Sequence, residues 1–361
     1  MAPKKASKQG SAPPAEGLDR KRFERELRNL TAKAKMDSES RKPAEQAKVI
    51  AKAALLLALT GTYAVMSQKA MSPVYGDIPS AVMHTKLLMA NCFIGWAGNL
   101  FLRNTLSVNS AQLLPLLAAY IPVVQFYLYS FSGTLGAQWG PAITESLTLG
   151  PLCVLTASAV ADCLEDADLS FLPQSVADAA PGLGSWAFFK LMRHAAGHYF
   201  QKHAGRSILF TRVGLETLLG GLYAVAAPSK FLWLAAPALL HTAFFNTHAM
   251  TPMATTSLNN TMAADGWLLL DRRESVTGYI SVLESVENGF RVLRCDHSLL
   301  GGEWVSFQGQ QVQEPIYGVF VMLEAVRLVK RDTRIPDRKA NALVVYVLPP
   351  LPPFTTASIT P

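Results

Sequence analysis

Six stretches between residues 49 and 250 are apolar and long enough to cross a bilayer. A hydrocarbon core about 30 Å thick needs roughly 20 apolar residues in a helix, and this requirement narrows the fold more than any other feature. The stretches run Val49–Met66, Leu87–Leu102, Leu113–Phe131, Ala142–Val160, Ile208–Ala227 and Phe231–Phe245, the last extendable to Met250. Charged residues make up 16% of the 361, against about 25% in a typical water-exposed domain, and they crowd towards the two ends. The expected fold class is therefore an α-helical transmembrane bundle of about six spans, followed by a small antiparallel β-domain with one helix.

Four units follow from the composition. Residues 1–46 form a basic tail, with 1–17 disordered and a charged helix over Asp19–Lys35; residues 1–48 carry thirteen Lys/Arg against seven Asp/Glu and no early apolar run, so this is no signal peptide. Residues 47–250 hold the bundle, 262–330 the β-domain, and 331–361 a charged linker and Pro-rich end. Gly133–Pro141 reads as a tight connection and Asp168–Gly184 as a loop. Trp186–His203 alternates aromatic and basic residues, as an amphipathic helix lying on the membrane surface would. With the N-terminal tail in the cytosol, Arg103, the basic residues of 190–206 and Arg272/Arg273 fall on its side. Only Lys69, Lys86 and Lys230 fall opposite, which places both termini in the cytosol at the endoplasmic reticulum or plasma membrane.

The net charge of +7 sits beside apolar spans, without an aromatic-plus-basic platform, so it points to lipid rather than nucleic acid. Cys92, Cys153, Cys163 and Cys295 have no metal or redox spacing and read as small hydrophobes. His194, His198 and His203 share a helix face but lack carboxylate or thiolate companions, so no metal site is expected; His241 and His248 are read as helix-contact residues. Arg212 and Glu216 stand four apart in the fifth stretch. Deep charges are costly unless paired, so an intramembrane ion pair between these two is expected.

Beyond residue 260 the period changes to two. Thr277–Glu284 and Phe290–Cys295 flank Glu287-Asn288-Gly289, which reads as a β-hairpin; Trp267–Leu270 precedes it and Gly301-Gly302 reads as a loop. Ile316–Val329 has a helical pattern, and Ala342–Val347 could start a strand.

Three strings in this region, DGWLLLDRRESVTGYISVLE, GFRVLRCDHSLLGGEW and EPIYGVFVMLEAVRLV, resemble the N-terminal β-domain and first helix of the spermidine synthase-like proteins, in particular their fungal multi-pass membrane branch. With the bundle the resemblance covers about residues 45–345. It implies aminopropyl transfer to a polyamine, with decarboxylated S-adenosylmethionine as co-substrate and Asp296 and Tyr317 in the substrate pocket. Asp296 also reads as a turn-capping residue and Tyr317 as a packed one. The string around Asp296 has Leu300 where the family carries Gln. From Ala342 the chain reads ALVVYVLPPLPPFTTASITP, without the Gly-x-Gly loop and catalytic acid that the family places there, so the resemblance implies an incomplete enzyme with no assigned catalytic residue and no bound cofactor. A second copy or a full-length homologue is the expected partner, and only the homologue could supply the missing parts. Other readings of the same chain are a noncatalytic membrane scaffold and a small-molecule carrier.

Overall fold

A computed structural model describes residues 43–165, 167, 173–307 and 310–315. Ten α-helices lie among them, followed by a five-stranded sheet. The helices are α1 (Pro43–Tyr75), α2 (Asp77–Ala97), α3 (Asn99–Thr105), α4 (Ser110–Ser130), α5 (Ser132–Leu147), α6 (Leu149–Glu165), α7 (Gln174–His203), α8 (Arg212–Ala226), α9 (Ala236–Phe244) and α10 (Pro252–Ala264). The sheet comprises β1 (Trp267–Glu274), β2 (Tyr279–Ser285), β3 (Phe290–Cys295), β4 (Ser298–Phe307) and β5 (Gln310–Pro315).

The axis of the bundle is α1. It is apolar almost all round and packs against α2, α6, α7 and α8 at once, as a helix without a polar face must. Leu56, Tyr63, Ala64, Met66 and Met71 are completely or almost completely buried. Polar groups on α1 are used up by its neighbours: Tyr63 Oη donates to the Ala118 carbonyl of α4 at 2.8 Å, and the Thr60 and Tyr223 hydroxyls lie 2.6 Å apart. Gly76, at a φ of 94°, ends the helix, and its N–H reaches the Ser72 carbonyl at 2.9 Å. Only glycine adopts that conformation without strain, so the turn into α2 depends on it.

The expectation of about six spans is corrected. Two described helices are long and apolar enough to cross a membrane, within Glu45–Tyr75 and Ser110–Ser130; α5 and α6, bent by 40° at their break, make a third if counted as one. Each of the others fails for a local reason. The second stretch is cut at Gly98 into α2 and α3, and α2 carries His84, Lys86 and Asn91. The fourth is cut at Thr148, whose φ and ψ of −108° and −83° are not helical. A 3₁₀ turn at Ile208–Phe210 shortens the fifth to 15 residues, and another at Leu232–Ala235 shortens the sixth to 9.

Two further expectations change. Gly133–Pro141 lies inside α5, where Gly136 (φ 63°) produces a kink rather than a connection. Most of the expected loop over Asp168–Gly184 is the start of α7, which begins at Gln174 and runs unbroken through Trp186–His203. Its Phe189 and Phe200 are 2% exposed and join the cluster around α1, so this segment packs in the bundle. The tail before Pro43, the helix expected over Ile316–Val329, Tyr317 and the strand expected from Ala342 lie outside the described residues.

The sheet is an antiparallel meander in the order β1-β2-β3-β4-β5. β2 and β3 pair as the hairpin around Asn288-Gly289, with Gly289 at a φ of 67° and Leu283 opposite Val292. Gly301 and Gly302 are not a loop: they lie within β4, opposite Leu293 and Val292 of β3. One face of the sheet buries Leu269, Leu283 and Val292 against Leu258 and Met262 of α10. Asn259 of α10 accepts the Leu269 N–H at 2.8 Å, which sets the helix on the first strand.

Close approach of α2 and α6 depends on Gly95. A Cβ there would lie 2.2 Å from the Val154 carbonyl oxygen and 2.8 Å from its Cα. Gly95→Ala should therefore push the helices apart and cost about 1–3 kcal/mol. Gly133, where a Cβ would have nothing within 4 Å, is the control; Gly133→Ala should be neutral or stabilising by up to about 1 kcal/mol. Thermal unfolding of the two purified variants checks both.

Candidate functional site at the bundle–sheet junction

Polar residues of the bundle and the sheet meet where β1 ends. The period of a strand puts Arg272 and Glu274 on one face and Asp271 and Arg273 on the other. Asp271 and Arg273 have side chains 60% and 82% exposed; Glu274 is buried. Glu274 lies across the N-terminus of α8. Its Oε1 and Oε2 accept the Arg212 backbone N–H at 2.8 and 3.0 Å, and Oε1 accepts Arg212 Nη1 at 2.7 Å. Arg212 Nη2 also donates to the Ser275 carbonyl at 3.3 Å, and its guanidinium carbon stands 5.7 Å from the centre of the Tyr279 ring. A carboxylate at a helix N-terminus that also holds an arginine satisfies helix dipole and charge together. Burial pushes the Glu274 carboxyl above the usual carboxylate range, and Arg212 opposes that shift.

Arg272 fixes the neighbouring loop. Its Nη1 and Nη2 donate to the carbonyls of Thr247 and Ala249, each at 2.7 Å, and Nε donates to Thr255 Oγ1 at 2.9 Å. Tyr279 Oη donates to the His248 carbonyl. The His248 ring packs edge-on against Phe126 and Tyr129. Burial, with Arg272 adding to it, pulls the imidazole down to about 4.

The intramembrane pair expected between Arg212 and Glu216 does not form. Both side chains are buried, at 2% and 0% exposure, but Arg212 turns to Glu274. Glu216 instead faces Gln125 of α4: with the amide nitrogen turned towards it, Gln125 donates to Oε2 and Oε1 at 3.1 and 3.2 Å, and the amide oxygen accepts Ser67 Oγ of α1 at 3.1 Å. Arg212 is the first residue of α8, one turn before Glu216, and Glu274 reaches its backbone and side chain together.

Asp296 sits in the β3–β4 turn at a φ of 51°, and its Oδ1 accepts the Tyr279 N–H at 2.6 Å. It caps a turn. Tyr317 lies outside the described residues. Among the described residues no cluster of three metal-ligating side chains occurs. His194 and His198 lie on α7, and His203, at its end, stacks on Tyr199. The cavity at the junction, lined by Gln125, Tyr129, Arg212, His248 and Tyr279 among others, measures about 20 Å³. That is room for one water, and Tyr129 Oη and Arg212 Nε, both without a protein partner, are donors it could satisfy. Among the described residues the junction is thus a polar lock with room for little more than a water.

Sequence reasoning missed Glu274, Tyr279 and Gln125. A signal for Glu274 was present, because alternation along Asp271-Arg272-Arg273-Glu274 singles out two of four charges for the inner face. It also missed the buried pair between His84 of α2 and Glu145 of α5, which are 61 residues apart in sequence.

No protein-family profile matches the chain, and no solved structure matches it. A curated protein of Emericella nidulans, an N-terminal histidine N-methyltransferase, is 40% identical over 300 residues, covering 81% of this chain and 54% of that protein. The chain spans about half the length of the curated relative it matches. The relative's activity is methyl transfer, which overturns the spermidine synthase-like assignment. Aminopropyl transfer to a polyamine, the incomplete aminopropyltransferase, and decarboxylated S-adenosylmethionine as co-substrate go with it. The scaffold and carrier readings gain no support either.

Removing one partner of a buried ion pair costs about 3–5 kcal/mol, because the other charge is left in place. Arg212→Ala and Glu274→Ala should each destabilise the protein on that scale, and the double variant should lose clearly less than the sum of the two; denaturant titration of the four proteins reads the coupling. His248 gives a pH signature. A histidine held neutral by burial titrates lower folded than unfolded, so the stability it permits is complete above about 6.5, its unfolded value. That stability is lost as pH falls towards about 4, its folded value. Unfolding temperature should drop through this window, and His248→Gln should flatten that part of the profile.

Proposed function

We propose that this chain is a membrane-embedded protein that takes part in methylating a nitrogen of histidine at polypeptide N-termini. The observation that carries the activity is the extent of identity, 40% across 81% of the chain, to a protein with that activity. Embedding is supported by the length and hydropathy of α1 and α4 and by large apolar side chains on the outside of the bundle. Phe93, Phe101, Trp233, Val225 and Phe245 are each about 70–80% exposed, far more apolar surface than water-facing helices commonly leave open.

Methyl transfer of this kind draws on S-adenosylmethionine, whose sulfonium supplies an electrophilic methyl group. The described residues do not fit that donor. Its amino-acid end is a zwitterion and its ribose needs hydroxyl acceptors, so its pocket must offer charges beside close backbone. The junction cavity is too small, and the larger groove described below has no charged side chain in its wall. The sheet, an antiparallel meander, has no parallel strand-helix-strand unit among the described residues. No step of the transfer is therefore assigned to them. Their part is to hold the sheet at a fixed place on the bundle, through Arg212, Glu274 and Arg272.

The test uses membranes from cells expressing the chain, incubated with methyl-labelled S-adenosylmethionine and a peptide that begins with histidine. Label should enter that peptide and not its counterpart beginning with alanine. The Arg212→Ala/Glu274→Ala double variant should transfer less, because the sheet loses its anchor. Equal labelling of the two peptides, or labelling no higher than in membranes lacking the chain, overturns the proposal. Alkaline washing should leave the protein in the membrane pellet.

A further inference from the structure

A second cavity, larger than the one at the junction, lies inside the helical region and shares no lining residue with it. It measures about 590 Å³ and opens between α7 on one side and α2 and α6 on the other, with Leu57 and Thr60 of α1 as its floor. It exists because α7 packs along α1 but hardly touches α6. Gly182 of α7 faces the Trp96 ring of α2; a Cβ there would stand 3.5 Å from the indole, an ordinary van der Waals contact, so only a side chain larger than alanine's would fill this part of the cavity.

The wall states what the cavity can hold. Trp96, Trp186, Phe93, Phe189, Met89 and Val160 supply aromatic and aliphatic surface, and no Asp, Glu, Lys, Arg or His lines it. Its polar side chains are Thr60, Thr156, Ser185, Cys92 and Cys153. The Thr60 hydroxyl is committed to the Leu56 carbonyl and Tyr223, and the buried Thr156 Oγ1 has no hydrogen-bond partner among the described residues. A charged ligand would lose its hydration with no opposite charge in the wall to replace it, and the few neutral hydroxyls and thiols leave most of the surface apolar. The volume falls in the range of about 300–1,000 Å³ that holds ligands of a few hundred daltons. The mouth is apolar as well. Met89, Phe93 and Leu183 stand 56%, 71% and 69% exposed at its rim, so the surface leading in continues the apolar exterior of the bundle.

We propose that this groove is a binding site for a hydrocarbon chain of a bilayer lipid, entering sideways from the membrane between α2 and α7. The proposal rests on the membrane-embedded part of the function above and is independent of methyl transfer. A chain seated there would complete the packing that α7 and α6 do not make with each other, and would be held mainly by dispersion and area burial.

The experiment uses the full chain in lipid nanodiscs made with either ordinary phosphatidylcholine or phosphatidylcholine brominated on its acyl chains. Bromine quenches tryptophan only at close range. Three variants each retain one tryptophan, at 96, 186 or 233, with the others replaced by Phe. Trp233, 72% exposed on the outside of the bundle, reports contact with the surrounding bilayer. Trp96 and Trp186 report the groove. All three should lose emission in brominated lipid. Adding Gly182→Leu, or Ala179→Leu if that variant fails to fold, should restore emission at 96 and 186 and leave 233 quenched. Quenching of Trp233 without Trp96 and Trp186 overturns the groove while the bundle remains in the bilayer. So does quenching at 96 and 186 that neither leucine variant relieves, because bromine then reaches them from outside. Absence of quenching at all three positions removes the membrane reading itself, and the groove with it.

Discussion

One carboxylate ties the two structural layers together. Glu274 takes two hydrogen bonds from the backbone N–H that opens α8 and a third from the guanidinium of the same residue. A charge this deep survives only with such compensation, since desolvation alone would exceed what a single partner returns. The geometry is demanding. Arg212 must begin a helix, Glu274 must end a strand, and the two must meet at 2.7 Å. Gly205, at a φ of 73°, lets the segment between α7 and α8 pass so close to Glu274 that a Cβ would lie 2.0 Å from its carbonyl oxygen. Arg272 repeats the device one strand repeat earlier, with three hydrogen bonds to the loop and helix that follow α9. The sheet is thus positioned by directional contacts, and the apolar cluster under it, with Leu269, Leu283 and Val292 at its centre, is small.

Directional contacts also decide where apolar runs become separate helices. Hydropathy in a sequence measures length and composition, and both read across a break unchanged. The break at Gly98 is such a case: Asn99 then faces inward, where its Oδ1 accepts Ser158 Oγ of α6 at 2.9 Å. The α5–α6 break at Thr148 places Glu145 against His84 and Gly150 close to Asn91. In each, a polar residue inside an apolar stretch finds a partner on another helix only because the chain bends there. That is why a count of about six spans overshoots a structure in which two described helices, or three with the bent pair, qualify.

The part of the fold legible in the sequence was local. Asn288-Gly289 between alternating segments marks a hairpin by backbone chemistry alone, and Leu283 does pair with Val292. The switch to a two-residue period, expected beyond residue 260, falls inside the last turn of α10, which ends at Ala264 before β1 begins at Trp267. What could not be read was partnership. Arg212 and Glu216 have the spacing of a helical ion pair, but spacing says nothing of a third charge arriving from 62 residues away. Asp296 matched a family string and also read as a turn cap, and in the structure its Oδ1 accepts the Tyr279 N–H within a left-handed turn. A short string match and a capping residue call for the same amino acid, so a single sequence cannot separate them.

The interior polar contacts bear on how the bundle would hold together under the membrane embedding proposed for it. In lipid, helices gain little from hiding apolar surface, because the solvent is equally apolar, and association comes from close packing and interhelical hydrogen bonds. Both are present around α1. Gly61 lets α7 approach so near that a Cβ would stand 3.1 Å from the Phe189 carbonyl and the Arg193 nitrogen, and Gly140 receives the Tyr75 ring. Tyr63 reaches the α4 backbone, Gln125 of α4 bridges Ser67 and Glu216, and Tyr223 of α8 meets Thr60. These bonds all converge on α1 or on its contacts with α4 and α8. Between α6 and α7, by contrast, there is little direct contact, and the groove lies there.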